Sequence, residues 1–175
     1  EVIMDPNDPL EDAHEVDLSA PIQNGPTTVG FDYFYGAVAC PTSAPLYAFI
    51  ENDTVLGQPD IEFPGVKDWL VNQRAGLLSE EFDFQNMDLI FLEKSQQWVA
   101  EQRERTPDRP FFLYHAMQAP HCPVLPASQF QGSTSAGPYG DFVAEVDWIV
   151  GELLKLADVD DGRETLFVFT SDNGP

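Results

Sequence analysis

The chain has 175 residues and a net charge of −22 at pH 7, because 30 acidic residues stand against 8 lysines and arginines. Hydrophobic residues make up 43% of the sequence, which is enough for a packed core and excludes a disordered chain. No apolar run reaches the length of about 18 residues that spans a membrane. The charge repels nucleic acid and anionic lipid, and it is explained by a solvated acidic surface more simply than by cation binding.

The first part of the chain, residues 1–84, is expected to be irregular and rich in loops. Residues 1–30 hold many Asp, Pro, Asn and Gly residues without a sustained period. Residues 30–50 are rich in aromatic side chains and interrupted by glycine and proline, which predicts short extended pieces. His14 lies among acidic residues in this part and is expected to be solvated. The start of the sequence has neither the basic nor the apolar region of a signal peptide.

The second part, residues 85–175, predicts the order helix, strand, loop, helix, strand. Helical spacing from residue 87 onward predicts a helix that ends near Arg105, before two prolines. Residues 111–114 and 165–170 are short runs of bulky apolar residues, which favour buried strands. Between them, residues 142–157 carry the cleanest amphipathic pattern. This order indicates a parallel α/β sheet, in which ligands gather beyond the carboxyl ends of the strands.

Polar side chains follow both predicted strands. His115 and His121 follow the first, and Asp172 and Asn173 follow the second. A carboxylate beside an amide carbonyl suits calcium, although these residue types also form turns and calcium takes about 6–8 oxygen ligands. His121 lies between prolines and is either a contact for an anionic oxygen or a loop histidine satisfied by the backbone. His115 is expected to turn into the core.

Cys40 begins a Cys-Pro-Thr-Ser-Ala segment that superficially matches a nucleophile motif. A reactive cysteine needs nearby positive charge or a helix N-terminus, and no lysine or arginine precedes Lys67. We interpret Cys40 as a small buried hydrophobic residue. Cys122 adjoins His121 but has no evident activator either. Two cysteines cannot build a disulfide framework, so the redox compartment stays undecided.

Four segments resemble the sulfatase family within the alkaline-phosphatase-like superfamily. Residues 25–36 resemble its GPTxxGFDxFxG segment, and residues 109–123 resemble its PFFLY…HxP strand and loop. Residues 139–151 resemble the YGDxxxExDxxxG helix, and residues 165–175 resemble the TLVxFTSDNGP strand and metal loop. The resemblance implies an alkaline-phosphatase-like sulfatase fold, with a mostly parallel sheet flanked by helices. Residues 139–147 are interpreted as structural support.

The resemblance also implies roles for three residues. His121 matches a family histidine that contacts the substrate sulfate and assists the leaving oxygen. Asp172 and Asn173 match two ligands of a single calcium ion. The activity implied is arylsulfatase-like hydrolysis of a sulfate ester, on a sulfated small molecule or glycan. Members of the family are mostly exported, periplasmic or lysosomal, so a similar compartment is expected.

The resemblance further implies that residues 1–175 are one partial catalytic domain, an interior fragment. The family's formylglycine nucleophile arises in a Cys/Ser-x-Pro/Ala-x-Arg motif, and Thr42 and Ala44 depart from it. The family's paired aspartates on calcium and its GKWHLG-like segment are also missing. The fragment alone is therefore expected to be inactive. Two alternatives stay open: a phosphoester or phosphonate hydrolase of the same superfamily, which the scarcity of histidine disfavours, and a non-catalytic acidic cation-binding module.

Overall fold

The computed structural model describes residues 17–43, 45–157 and 164–173. Two long helices dominate these residues: α1 covers Met87–Arg105 and α2 covers Gly137–Ala157. The end of α1 confirms the boundary predicted from the prolines that follow it. None of the helices in the described ranges is both long and apolar enough to cross a lipid bilayer.

Short strands lie between residues 35 and 78. Their bounds are β1 Tyr35–Ala37, β2 Leu46–Tyr47, β3 Phe49–Glu51, β4 Thr54–Val55, β5 Ile61–Phe63, β6 Val66–Lys67, β7 Asn72–Gln73 and β8 Gly76–Leu78. They form a sheet of order β1-β3-β4, a second sheet of order β2-β8-β5, and a hairpin of β6 and β7. In the part of the chain that the structure describes, β2 and β8 pair in parallel and the other four pairings are antiparallel.

The mostly parallel sheet predicted from the sequence is not confirmed. Residues 111–114 and 165–170 form no strand, and their side chains are largely exposed, with Phe112 at 73% and Leu166 at 88%. A strand requires ladder bonds from a neighbouring strand, and no strand among the described residues pairs with either segment. The prediction of two buried strands is therefore wrong within the described residues. What the structure shows is mixed α/β content with small sheets.

The hydrophobic core lies on two sides of α1. On one side an aromatic cluster packs against the start of the helix, and within it the rings of Phe49 and Phe82 are 4.7 Å apart. On the other side Leu92 packs against Ile149 and Leu153 of α2. Burying an aliphatic side chain of this size contributes about 1.5–3 kcal/mol. These contacts hold the two helices together, and Ile149 and Leu153 confirm the apolar stripe predicted for α2.

The N-terminal part of α2 anchors the loop that precedes it. Asp141 accepts the backbone N–H groups of Gly132 and Thr134, both at 2.8 Å. A Cβ atom at Gly140 would lie 2.5 Å from Thr134 Oγ1, so a larger residue there would displace this loop. These contacts agree with the interpretation of this segment as structural support.

Candidate functional site

His121 lies in a loop, residues 118–127, between the two helices. Its backbone N–H donates to Gln118 O at 3.0 Å, and its side chain is exposed. The imidazole Nδ1 lies 2.5 Å from Cys122 O. Because a carbonyl oxygen can only accept, Nδ1 is the protonated nitrogen in this contact. Nε2 is therefore the ring nitrogen left for a ligand.

Two buried carboxylates hold the ends of this loop. Asp88 of α1 accepts the backbone N–H groups of Gln118 and Ala119 at 2.7 and 2.8 Å. Glu145 of α2 accepts the N–H group of Ala127 at 2.8 Å. Asp88 is 3% exposed and Glu145 is fully buried. The loop is thus fixed to both helices, on either side of the histidine, by residues that the sequence analysis did not single out.

The environment of these two carboxylates favours their neutral forms. Burial raises the pKa of Glu145 to about 7; the N–H group of Ala127 works against this shift, and the nearby charge of Asp88 adds to it. Burial also raises the pKa of Asp88, against the effect of its two N–H donors. Within the part of the chain that the structure describes, one oxygen of Glu145, Oε1, has no hydrogen-bond partner. The anchor on α2 therefore titrates near neutral pH.

Both cysteines lie beside His121. Cys40 Sγ is 3.9 Å from His121 Nδ1 and 3.1 Å from Thr42 Oγ1. Cys40 is half-buried, whereas a fully buried hydrophobic residue was expected. Cys122 Sγ donates to Leu70 O at 3.2 Å, and this contact ties the histidine loop to the turn of the β6–β7 hairpin.

The candidate metal ligands lie in the last described segment, residues 164–173. Asp172 and Asn173 are exposed, and the Ser171 hydroxyl donates to Asn173 O at 2.6 Å. Within the described ranges no hydrogen bond or ion pair links Asp172 to His121, and no three residues among His, Cys, Asp and Glu come together as a metal site. A carboxylate and an amide oxygen fit calcium by chemistry, but they supply two of about 6–8 ligands.

His115 is not part of the site. His115 Nδ1 shares a hydrogen bond of 2.9 Å with Ser95 Oγ, and its Nε2 is buried with no partner in the described ranges. Burial lowers the pKa of His115 to about 4. The expectation that His115 turns into the core is confirmed. His14 lies outside the described residues.

Comparison with known proteins gives the family of this chain. The sulfatase family model matches residues 19–175. The chain belongs to the sulfatase family. N-acetylgalactosamine-6-sulfatase from Canis lupus familiaris is 33% identical over 156 residues, which cover 85% of this sulfatase chain and 27% of the relative. N-acetylgalactosamine-6-O-sulfatase from Bacteroides thetaiotaomicron is 28% identical over 173 residues, covering 95% of this chain and 30% of the relative.

This sulfatase chain therefore spans less than a third of the length of these two relatives. A solved structure from work on the metabolism of multiple glycosaminoglycans by Bacteroides thetaiotaomicron matches it with a TM-score of 0.65. The match covers 81% of this chain and 35% of the other, at 23% sequence identity. The match shows that the short sheets and two helices of this chain share the fold of that structure.

Proposed function

We propose that the full-length protein hydrolyses a sulfate ester and that His121 contacts the sulfate group. The observation that supports this is an exposed imidazole on a loop fixed by two buried carboxylates, in a chain that belongs to the sulfatase family. A fixed loop presents the ring at one position, and catalysis depends on such positioning.

His121 acts through Nε2 in this proposal. The Nδ1–H donates to Cys122 O, which fixes both the ring orientation and the tautomer. In the imidazolium form, Nε2–H donates to a sulfate oxygen, or it transfers its proton to the ester oxygen as the bond between that oxygen and sulfur breaks. Asp88 and Glu145 position this group through the backbone and do not touch the substrate.

Asp172 and Asn173 are proposed as two ligands of a calcium ion. Their side-chain oxygens are exposed and of the type that calcium prefers. When bound, calcium neutralises charge on the sulfate oxygens. The other ligands and the formylglycine nucleophile are proposed to come from outside these residues, since the chain spans less than a third of its relatives.

The substrate is proposed to be a sulfated sugar within a glycan. Two relatives carry names that specify the 6-sulfate of N-acetylgalactosamine. A sulfated carbohydrate outside the cell or in a degradative compartment is consistent with the export that the family resemblance implies.

The first test is turnover of matched aryl sulfate and aryl phosphate esters by the full-length protein, with calcium and with a chelator. We expect sulfate turnover well above phosphate turnover, with loss of activity in the chelator. A preference for phosphate would instead indicate a sister hydrolase. No turnover of either ester, in folded protein with its formylglycine verified, would contradict aryl sulfate hydrolysis and favour a cation-binding module.

The role of His121 is tested by His121→Ala in the full-length protein. Removal of one proton-transfer or oxyanion contact lowers kcat by about 100-fold or more. Ser128→Ala is the matched control, because Ser128 is an exposed residue directly after this loop. Turnover that is unchanged in His121→Ala removes this histidine from the site.

A further inference from the structure

A pocket of about 400 Å³ adjoins the loop of His121 and has no part in the sulfate contact described above. Its volume lies within the range of about 300–1,000 Å³ that small-molecule sites occupy. The polar residues that line it come from the β6–β7 hairpin and from the segment after Cys40. They are Thr42, Lys67, Asn72, Gln73 and Arg74.

Two basic residues line this pocket, although the chain has only 8 lysines and arginines and a net charge of −22. The guanidinium of Arg74 donates to Ser43 O at 3.1 Å, which fixes its position. Lys67 is exposed, and among the described residues no carboxylate forms an ion pair with it. Its neighbour Asp68 instead accepts the N–H group of Leu70 at 2.9 Å. Such a local concentration of positive charge in an acidic protein attracts an anion.

A buried side-chain amide at the wall of the pocket is a second observation that points to a ligand. Gln73 lines the pocket and is 5% exposed, and its Nε2 has no hydrogen-bond partner among the described residues. An unpaired buried donor is costly, and buried polar atoms in folded proteins nearly always have partners. An acceptor oxygen from a bound group would satisfy this donor once the Gln73 amide turns toward the pocket.

The hairpin is attached directly to the loop that carries His121. The N–H group of Val124 donates to Leu70 O at 2.7 Å, and the N–H group of Asn72 lies 3.3 Å from Cys122 Sγ. Trp69, in the hairpin turn between the lining residues Lys67 and Asn72, is 86% exposed and offers a large apolar face. The pocket therefore adjoins the His121 loop. A second part of the substrate can bind there while its sulfate contacts His121.

We propose that this pocket is a second anion subsite, which binds a carboxylate or sulfate group on the sugar next to the one that carries the hydrolysed ester. Lys67 and Arg74 supply charge-assisted hydrogen bonds, and Trp69 packs against a sugar ring. The inference rests on the proposed sulfatase function and narrows its substrate to an oligosaccharide with at least two anionic groups.

The test uses three matched disaccharides that share one hydrolysable sulfate ester. The neighbouring sugar is neutral in the first, carries a carboxylate in the second and carries another sulfate in the third. We expect KM for at least one charged disaccharide to be about tenfold below that of the neutral one, the scale of one charge-assisted hydrogen bond. Comparing the second and third shows which anion the subsite takes.

Lys67→Ala is expected to remove most of this preference. Lys155→Ala is the control, because Lys155 is an exposed lysine on α2 that pairs with Glu152. Equal KM values for all three disaccharides, or a preference unchanged in Lys67→Ala, would overturn the subsite while sulfate hydrolysis stands.

A binding measurement separates failure of the subsite from failure of the proposed function. Calorimetric titration with the two charged disaccharides, after removal of their hydrolysable sulfate, requires no turnover. Binding of at least one that weakens about tenfold in Lys67→Ala supports the subsite even in a protein that hydrolyses no sulfate. No binding of either to the wild type, or equal binding to the wild type and the variant, would overturn it.

Discussion

Glu145 is a fully buried carboxylate that fixes one end of the His121 loop, and its pKa makes that anchor sensitive to pH. Burial raises this pKa from 4.5 to about 7. In this interval the folded protein binds more protons than the unfolded chain, so stability falls as pH rises from 4.5 through 7. The linkage relation gives a loss of about 3 kcal/mol from this group.

Glu145→Gln is therefore expected to flatten the dependence of stability on pH between 4.5 and 8, because the amide does not ionise and its oxygen still accepts from Ala127. The measurement is urea unfolding of both proteins across this range. His115 has the opposite effect, since burial lowers its pKa to about 4 and stability rises with pH up to 6.5. His115 is common to both proteins, so the difference between the curves reports Glu145. Parallel curves would contradict the assignment.

Single residues of the site were predictable to different degrees. His121, Asp172 and Asn173 could be selected as candidate site residues from their residue types and from the segments around them. That selection does not depend on whether they lie close together in the structure. Glu145 carried a weaker signal: it lies three residues after Phe142 and four before Ile149, on the apolar stripe of α2. An acidic residue on the apolar stripe of a helix is expected to be buried and to accept a hydrogen bond there. The contact of Cys40 with the His121 ring joins residues 81 apart and has no local signal.

At the scale of whole elements, α1 positions the site as well as forming the core. Asp88 lies in its first turn and accepts two N–H groups of the His121 loop. In Asp88→Ala both buried donors lose their acceptor, at about 1–3 kcal/mol each. We expect the free energy of unfolding to fall by about 2–5 kcal/mol, measured by urea denaturation. In the full-length protein the freed loop should also lower kcat.

The control for Asp88→Ala is Glu93→Ala on the exposed face of the same helix, where Glu93 accepts from Gln97 at 3.0 Å. Surface changes of this kind alter stability by less than about 0.5 kcal/mol. A loss in Asp88→Ala no larger than that in Glu93→Ala would show that Asp88 does not hold the loop.

The helices were easier to predict than the strands for a physical reason. The periods of α1 and α2 are local properties of the sequence, and prolines or turn residues mark their ends. Pairing of strands depends on distant residues, and the strands here have two or three residues each. Residues 111–114 and 165–170 have the composition of buried strands, but no strand among the described residues pairs with them. The β6–β7 hairpin, which lines the proposed subsite, gave no periodic signal at all.

The surface of the whole molecule combines strong negative charge with exposed apolar segments. Several large apolar side chains outside the core are exposed by more than half. They include Phe112 at 73%, Tyr114 at 71%, Leu166 at 88%, Val168 at 72% and Phe169 at 65%. Apolar surface of this kind favours association, while a charge of −22 opposes it. The salt concentration determines whether charge repulsion or apolar attraction is stronger, because the Debye length falls from about 30 Å at 0.01 M to about 3 Å at 1 M.

The 175-residue chain is therefore expected to be monomeric at low ionic strength and to associate as salt rises, which sedimentation velocity measures directly. Val168→Asp should reduce this association, since it places a charge within the exposed segment. Val143→Asp is the matched control: it adds the same charge at an exposed position of α2, 43% accessible, outside that segment. If both variants reduce association equally, net charge governs it. If only Val168→Asp does so, residues 165–169 form the surface through which the chains associate.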